Sequence, residues 1–147
     1  MNKKELFEHI SGTIVEKINR LQADIADLQK DMAEDSKSSA GDKFETSREM
    51  AQQELLKLNT QLNEQQRLKN LVESQAAENH IQAQSGAVVF TNKGAFLLGI
   101  PVGKISFRDR DIVGIGLGAP LGQNLLHKKK SDQISFNGQQ FIIEEIY

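Results

Sequence analysis

The chain contains no cysteine, which excludes disulfides, thiolate metal sites and thiol redox chemistry. It also has no apolar run approaching the roughly 20 residues of a membrane span and no secretory leader pattern, so it is expected to be soluble, cytoplasmic and without membrane contact. Proline is nearly missing: the only two are Pro101 and Pro120, and none lies between Asn2 and His80. Glycine is as scarce upstream, with only Gly12 and Gly41 before residue 80, so two long helices can run there without a breaker. A basic excess is lacking too. The 18 Lys+Arg stand against 20 Asp+Glu, whereas a freestanding nucleic-acid binder carries a clear positive surplus. His9, His80 and His127 have no metal-ligand spacing, and no nucleophile elbow, Walker-type loop or dinucleotide fingerprint occurs.

What the first half does contain is periodicity. Ile14, Ile18, Leu21, Ile25, Leu28 and Met32 advance by alternating steps of four and three, a heptad a/d seam that Ile10 extends backwards. Ala51, Leu55, Leu58, Leu62, Gln65, Leu68 and Val72 form a second, looser seam with one polar member. The pattern predicts antiparallel helices near 4–34 and 43–78, joined at a tip around Ser38–Glu45. Helices of about 30 residues rise some 45 Å, so the hairpin is expected to protrude. Acids gather at that tip: Glu34, Asp35, Asp42, Glu45 and, one turn on, Glu49. A hairpin tip needs little charge to fold and reaches furthest into a partner, which makes these carboxylates candidate functional groups.

Composition changes near residue 85. Nine of the 11 glycines lie beyond it, punctuating short runs of Val, Ile, Leu and Phe. Two domains are expected, a coiled-coil hairpin over 1–80 and an α+β domain over 84–147. The second reads as strands at 87–91, 95–98, 104–107 and 111–115, then a helix from Pro120 to about Lys128. A hairpin of 133–136 and 139–146 follows, turned at Asn137-Gly138. Charge is divided, with a net of −4 over 1–80 and +2 over 81–147. Lys128-Lys129-Lys130 is read as favourable charge at the helix C-terminus.

Gly116-Leu-Gly-Ala-Pro120-Leu-Gly-Gln-Asn-Leu-Leu126-His-Lys-Lys-Lys-Ser-Asp132 resembles the signature of the bacterial Gre transcript-cleavage factors, a Ser-Pro-Leu-Gly-like turn leading into Ala-Leu-Leu-Gly-Lys and Gly-Asp. The closing Phe141-Ile-Ile-Glu-Glu-Ile-Tyr147 is similar to the end of that family's domain. With the N-terminal hairpin, the resemblance spans essentially the whole chain. It implies an antiparallel coiled coil followed by an FKBP-like α+β domain. It further implies a monomeric factor that enters the secondary channel of RNA polymerase, docks through Pro120, Leu121 and Gly122, and reaches nascent RNA only indirectly. Prolyl isomerase activity, the other function associated with an FKBP-like fold, needs an aromatic-lined pocket, and this domain has no Trp and one Tyr.

The family's tip motif, Gly-Asp-Leu-x-Glu-Asn-Ala-Glu-Tyr, is matched by Gly41-Asp42-Lys43-Phe44-Glu45-Thr46-Ser47-Arg48-Glu49 at the glycine, the first acid and the acid three residues on. Arg48 stands where the family has an acid and Glu49 where it has an aromatic, and Ser36-Lys37-Ser38-Ser39 precedes the motif as an extra segment. The resemblance implies that Asp42 and Glu45 act as catalytic, metal-binding carboxylates shared with the Mg²⁺ of the polymerase active centre, while Phe44 and Arg48 touch the partner. No cofactor is expected on the chain alone, which would stimulate the polymerase's own nuclease rather than be an enzyme. The departures at Arg48 and Glu49 keep open a binding-only regulator of the same channel. Asp-x-x-Glu at a helix start is also a capping-box pattern, with Asp42 as the cap, and the two roles are compatible.

Overall fold

In a computed structural model the chain forms, in order, α1 (Lys3–Asp35), α2 (Gly41–Ser74), β1 (Val88–Thr91), β2 (Gly94–Leu98), β3 (Gly103–Phe107), β4 (Arg110–Ile115), α3 (Pro120–Leu125), β5 (Gln133–Phe136) and β6 (Gln139–Ile146). The structure describes every residue except 36–40 and Ala76, and the side chains of Asp35 and of residues 41–44 are likewise outside the description. The expected α+β order of two long helices followed by a strand-rich domain is the one observed. Among the described residues no helix is long and apolar enough to cross a membrane.

The described chain divides into two units, Gly12–Lys69 and Met1–Ser11 with Asn70–Tyr147. The first consists of the two helices, whose least exposed positions are the seam residues. Ile14, Ile18 and Ile25 are buried on α1, with Leu21, Leu28 and Met32 half-buried. On the part of α2 within this unit, Ala51, Leu55, Leu58, Leu62 and Gln65 are half-buried and Leu68 is buried. Each helix therefore carries its least exposed residues on one apolar seam.

The second unit is built on a six-stranded mixed sheet of order β3-β4-β2-β1-β6-β5. Neighbours run antiparallel except β2 and β4, which are parallel in the register Ala95↔Ile112 to Leu98↔Ile115. β6 pairs with both β1 and β5, so the last strand in sequence lies inside the sheet. The β5–β6 turn has Asn137 at φ 50° and Gly138 at φ 74°, the doubly left-handed geometry expected of Asn-Gly in a two-residue hairpin.

One sheet face carries a core of Val89, Leu98, Leu125, Ile143, Phe141 and Ile134, with Phe96 and Leu121 packed against it. Alternation sends Val88, Leu97 and Ile112 to the other face, where each is 0% exposed. The helix ends that belong to this unit bury Leu6, Ile10 and Val72. His9 on α1 meets the Phe107 ring at 5.5 Å, and Glu5 pairs with Arg108 in the β3–β4 turn.

Candidate functional site

The acidic segment lies at the start of α2. The helix begins at Gly41 and runs without a break, so Asp42 and Glu45 stand three residues apart at its start. Asp42 is therefore inside the helix rather than at the residue preceding it, which corrects the capping-box expectation. An acid in the first turn still interacts favourably with the helix dipole.

Register decides which side of α2 the acids occupy. At about 100° per residue, positions 42, 45 and 49 fall within one narrow stripe. The seam of Ala51, Leu55, Leu58, Leu62 and Gln65 is centred roughly 150° away around the same helix. Glu45 and Glu49 are exposed, in agreement with that placement. Arg48, also exposed, sits at the edge of the seam, and position 44 falls in register with Leu55 and Leu62. The side chains of Asp42 and Phe44 lie outside the described residues, so the assignments made for them rest on position alone.

The second predicted set surrounds α3. Pro120 opens this six-residue helix at N1, and Ala119 before it is extended, at φ −65° and ψ 147°, with no side-chain cap. The three residues assigned to docking differ in what they present. Pro120 is exposed, Leu121 is half-buried against the core, and Gly122 is buried. A Cβ on Gly122 would come within 2.2 Å of the Gly116 carbonyl oxygen, so glycine here permits the helix to close on the preceding loop. The Gly116–Gly122 spacing in the family-like signature therefore has a packing cause of its own.

The lysine triplet is not at a helix end. α3 stops at Leu125 and has no basic residue in its last turn, so the dipole reading of Lys128–Lys130 is corrected. The segment instead edges the sheet: the Ala83 N–H donates to the Lys128 carbonyl at 2.8 Å, Lys129 forms a bridge with Gln82, and Lys130 pairs with Glu145. Among the described residues no group of His, Asp and Glu is placed to hold a metal.

Two features escaped the sequence reading. Lys3 is 2% exposed, its Nζ donating to the Glu78 carbonyl at 2.6 Å and lying 5.5 Å from the Phe7 ring. Burial lowers its pKa to about 8, against a smaller opposing pull from the Glu78 carboxylate. The periodic run Lys3, Leu6, Phe7, Ile10 was the signal, since it puts Lys3 on the buried face. The other feature is an aromatic-lined cavity of about 290 Å³ in the sheet unit. Counting Trp and Tyr overlooked it, because two of its three rings are phenylalanines, Phe90 and Phe107, beside Tyr147.

Comparison with known proteins adds the following. No family model matches the chain, and no curated protein matches it. Two solved structures are similar over nearly its whole length at 14% identity. One is described as GreA factor homolog 1 (Gfh1) of Thermus thermophilus, with 93% of this chain and 94% of that one covered at a TM-score of 0.36. The other, described as the transcription factor Gfh1, covers 93% of this chain and 92% of its own at a TM-score of 0.37. A likeness at this identity and degree of superposition does not by itself assign the chain to a family.

Proposed function

We propose that this chain is a Gre-like factor that binds RNA polymerase in its secondary channel and stimulates cleavage of backtracked transcripts through Asp42 and Glu45. The observation that carries the reading is the acid stripe at the start of α2, where positions 42, 45 and 49 lie on the side of the helix away from its seam. A stripe serving only the coiled coil would flank the seam; this one is directed elsewhere, at the end of a two-helix hairpin. The Gre-like signature around Pro120 supports the same partner.

The chemistry suits the residue types. Residues three apart on a helix hold their Cβ atoms roughly 5–6 Å apart, so Asp42 and Glu45 fit one hydrated divalent cation between them. Carboxylates with retained water are the donor set Mg²⁺ favours. A Mg²⁺ held jointly with the polymerase would supply charge stabilisation for the attacking and leaving oxygens of phosphodiester hydrolysis. Asp42 and Glu45 contribute ligand oxygens and orient water, and neither is assigned to one task alone. The chain by itself is not an enzyme and binds no cofactor.

A second reading is favoured by Arg48. A cation one turn from Glu45, where the family places an acid, suits a regulator that occupies the channel without promoting cleavage. Cleavage in stalled elongation complexes, measured beside polymerase affinity, separates the two. Asp42→Asn and Glu45→Gln should each abolish stimulated cleavage with binding and melting temperature nearly unchanged. Wild-type-like cleavage by both variants would sink the catalytic assignment, and a wild-type chain that binds without cleaving would establish the binding-only regulator.

A further inference from the structure

The aromatic-lined cavity lies in the sheet unit, and none of its lining residues belongs to α3. Phe90, Phe107 and Tyr147 form its ring surfaces, and the start of the chain at Met1 and Asn2 closes one side. The β3–β4 turn supplies the charges, Arg108, Asp109 and Arg110. Phe90 and Tyr147 meet edge to face, centroids 5.5 Å apart at 87°. Main-chain hydrogen bonds of 2.9 Å in both directions between Tyr147 and Val88 hold that corner in place.

The two arginines are not equivalent. The Arg108 guanidinium lies 5.4 Å from the Phe107 centroid and is paired with Glu5. Arg110 lies 5.0 Å from the Phe90 centroid, and among the described residues it has no acidic partner. A guanidinium over a ring and without an acidic partner keeps N–H groups available to an acceptor.

The lining restricts the occupant. A cation is disfavoured, because guanidinium groups already lie over Phe90 and Phe107. A wholly apolar ligand would cover the Arg110 N–H groups without giving them an acceptor. An inorganic anion would leave the Tyr147 ring uncovered. A polyphosphate chain would carry several charges towards Asp109. A volume of about 290 Å³ is at the small end of ligand pockets, which run from roughly 300 to 1,000 Å³. We propose that this cavity binds a small planar aromatic anion, a single ring system bearing one acidic group, with the ring against Phe90 and Tyr147 and the acid on Arg110.

Both nucleoside monophosphates and simpler aryl acids have this chemistry. The test is an NMR titration of the full-length ¹⁵N-labelled chain with adenosine 5′-monophosphate, phenyl phosphate, adenosine and inorganic phosphate. Saturable shifts are expected at the amides of Phe90, Phe107, Arg110 and Tyr147 with at least one of the first two. Adenosine and phosphate should each bind at least tenfold more weakly. Response to the nucleotide alone identifies a nucleotide site, and response to phenyl phosphate extends it to aryl acids generally. Arg110→Gln should weaken binding at least tenfold with unchanged melting temperature, whereas Arg67→Gln, on the exposed surface of α2, should not. Absence of saturation with both aromatic anions would overturn the proposal, as would shifts that survive Arg110→Gln or centre on Lys128–Lys130.

Discussion

The helical unit and the sheet unit bury their apolar residues to very different depths. Within Gly12–Lys69 the α2 seam from Ala51 to Gln65 holds no buried residue, only half-buried ones. In the sheet unit Val88, Val89, Leu97, Leu98, Ile112 and Leu125 are each 0% exposed. A two-helix seam has solvent on both flanks and depends on periodicity summed over many turns, so single residues contribute little. A sheet covered on both faces has no such relief, and each side chain must fit its own space. The acid stripe thus sits on the unit with the more tolerant interior, while the glycine-bearing signature sits in the unit with the stricter one.

Paired truncations give the largest expected contrast. Leu98→Ala, at a fully enclosed site, should cost about 3 kcal/mol or more in chemical denaturation. Leu58→Ala on the half-exposed seam should cost about 1 kcal/mol. Equal losses would erase the distinction between the units. Gly122→Ala comes next, since the added methyl must displace the Gly116 carbonyl; a loss of about 2 kcal/mol is expected, read from the melting temperature. A neutral result there would mean that the loop before α3 yields easily.

The smallest effect is that of Lys3, and it sharpens the contrast through pH. Its folded pKa is lowered to about 8 from an ordinary 10.5, so between those values the unfolded chain holds more protons at this site. The penalty for a charged, buried Lys3 is present below about pH 8 and is relieved as pH rises towards 10.5. The stability of wild type relative to Lys3→Met should therefore climb between pH 8 and 10, by on the order of 1 kcal/mol after allowance for solvent screening. A difference that stays flat across that range would show that Lys3 carries no buried charge.

Local signals were read accurately from sequence, and long-range ones were not. Every expected strand appears within a residue or two, because apolar alternation and Asn137-Gly138 act over neighbouring positions. The ends of α2 and α3 were placed too late. α2 stops at Ser74 and α3 at Leu125, since the polar residues beyond are compatible with a helix but are taken up by pairing between the two segments, as the Gln82–Lys129 bridge shows. The acid stripe was legible as a cluster, and its side of the helix became clear only once the start of α2 and the seam were fixed in one register. The cavity joins residue 1 to residue 147 through a turn at 108–110, a juxtaposition that no local pattern encodes.

The interior position of β6 has a consequence for synthesis. A ribosome releases α1 first and β6 last, yet β1 and β5 meet only through β6, and Met1–Ser11 belongs to the same unit as that strand. Residues Met1–Ser11 must therefore wait for β6 before they find the complete set of neighbours in their unit, while the helical segment between them can pair during translation. High sequence separation of this kind slows folding. Nascent chains halted before β6 would carry formed helices without a completed sheet, so the delivery of this one strand times the closure of the sheet unit.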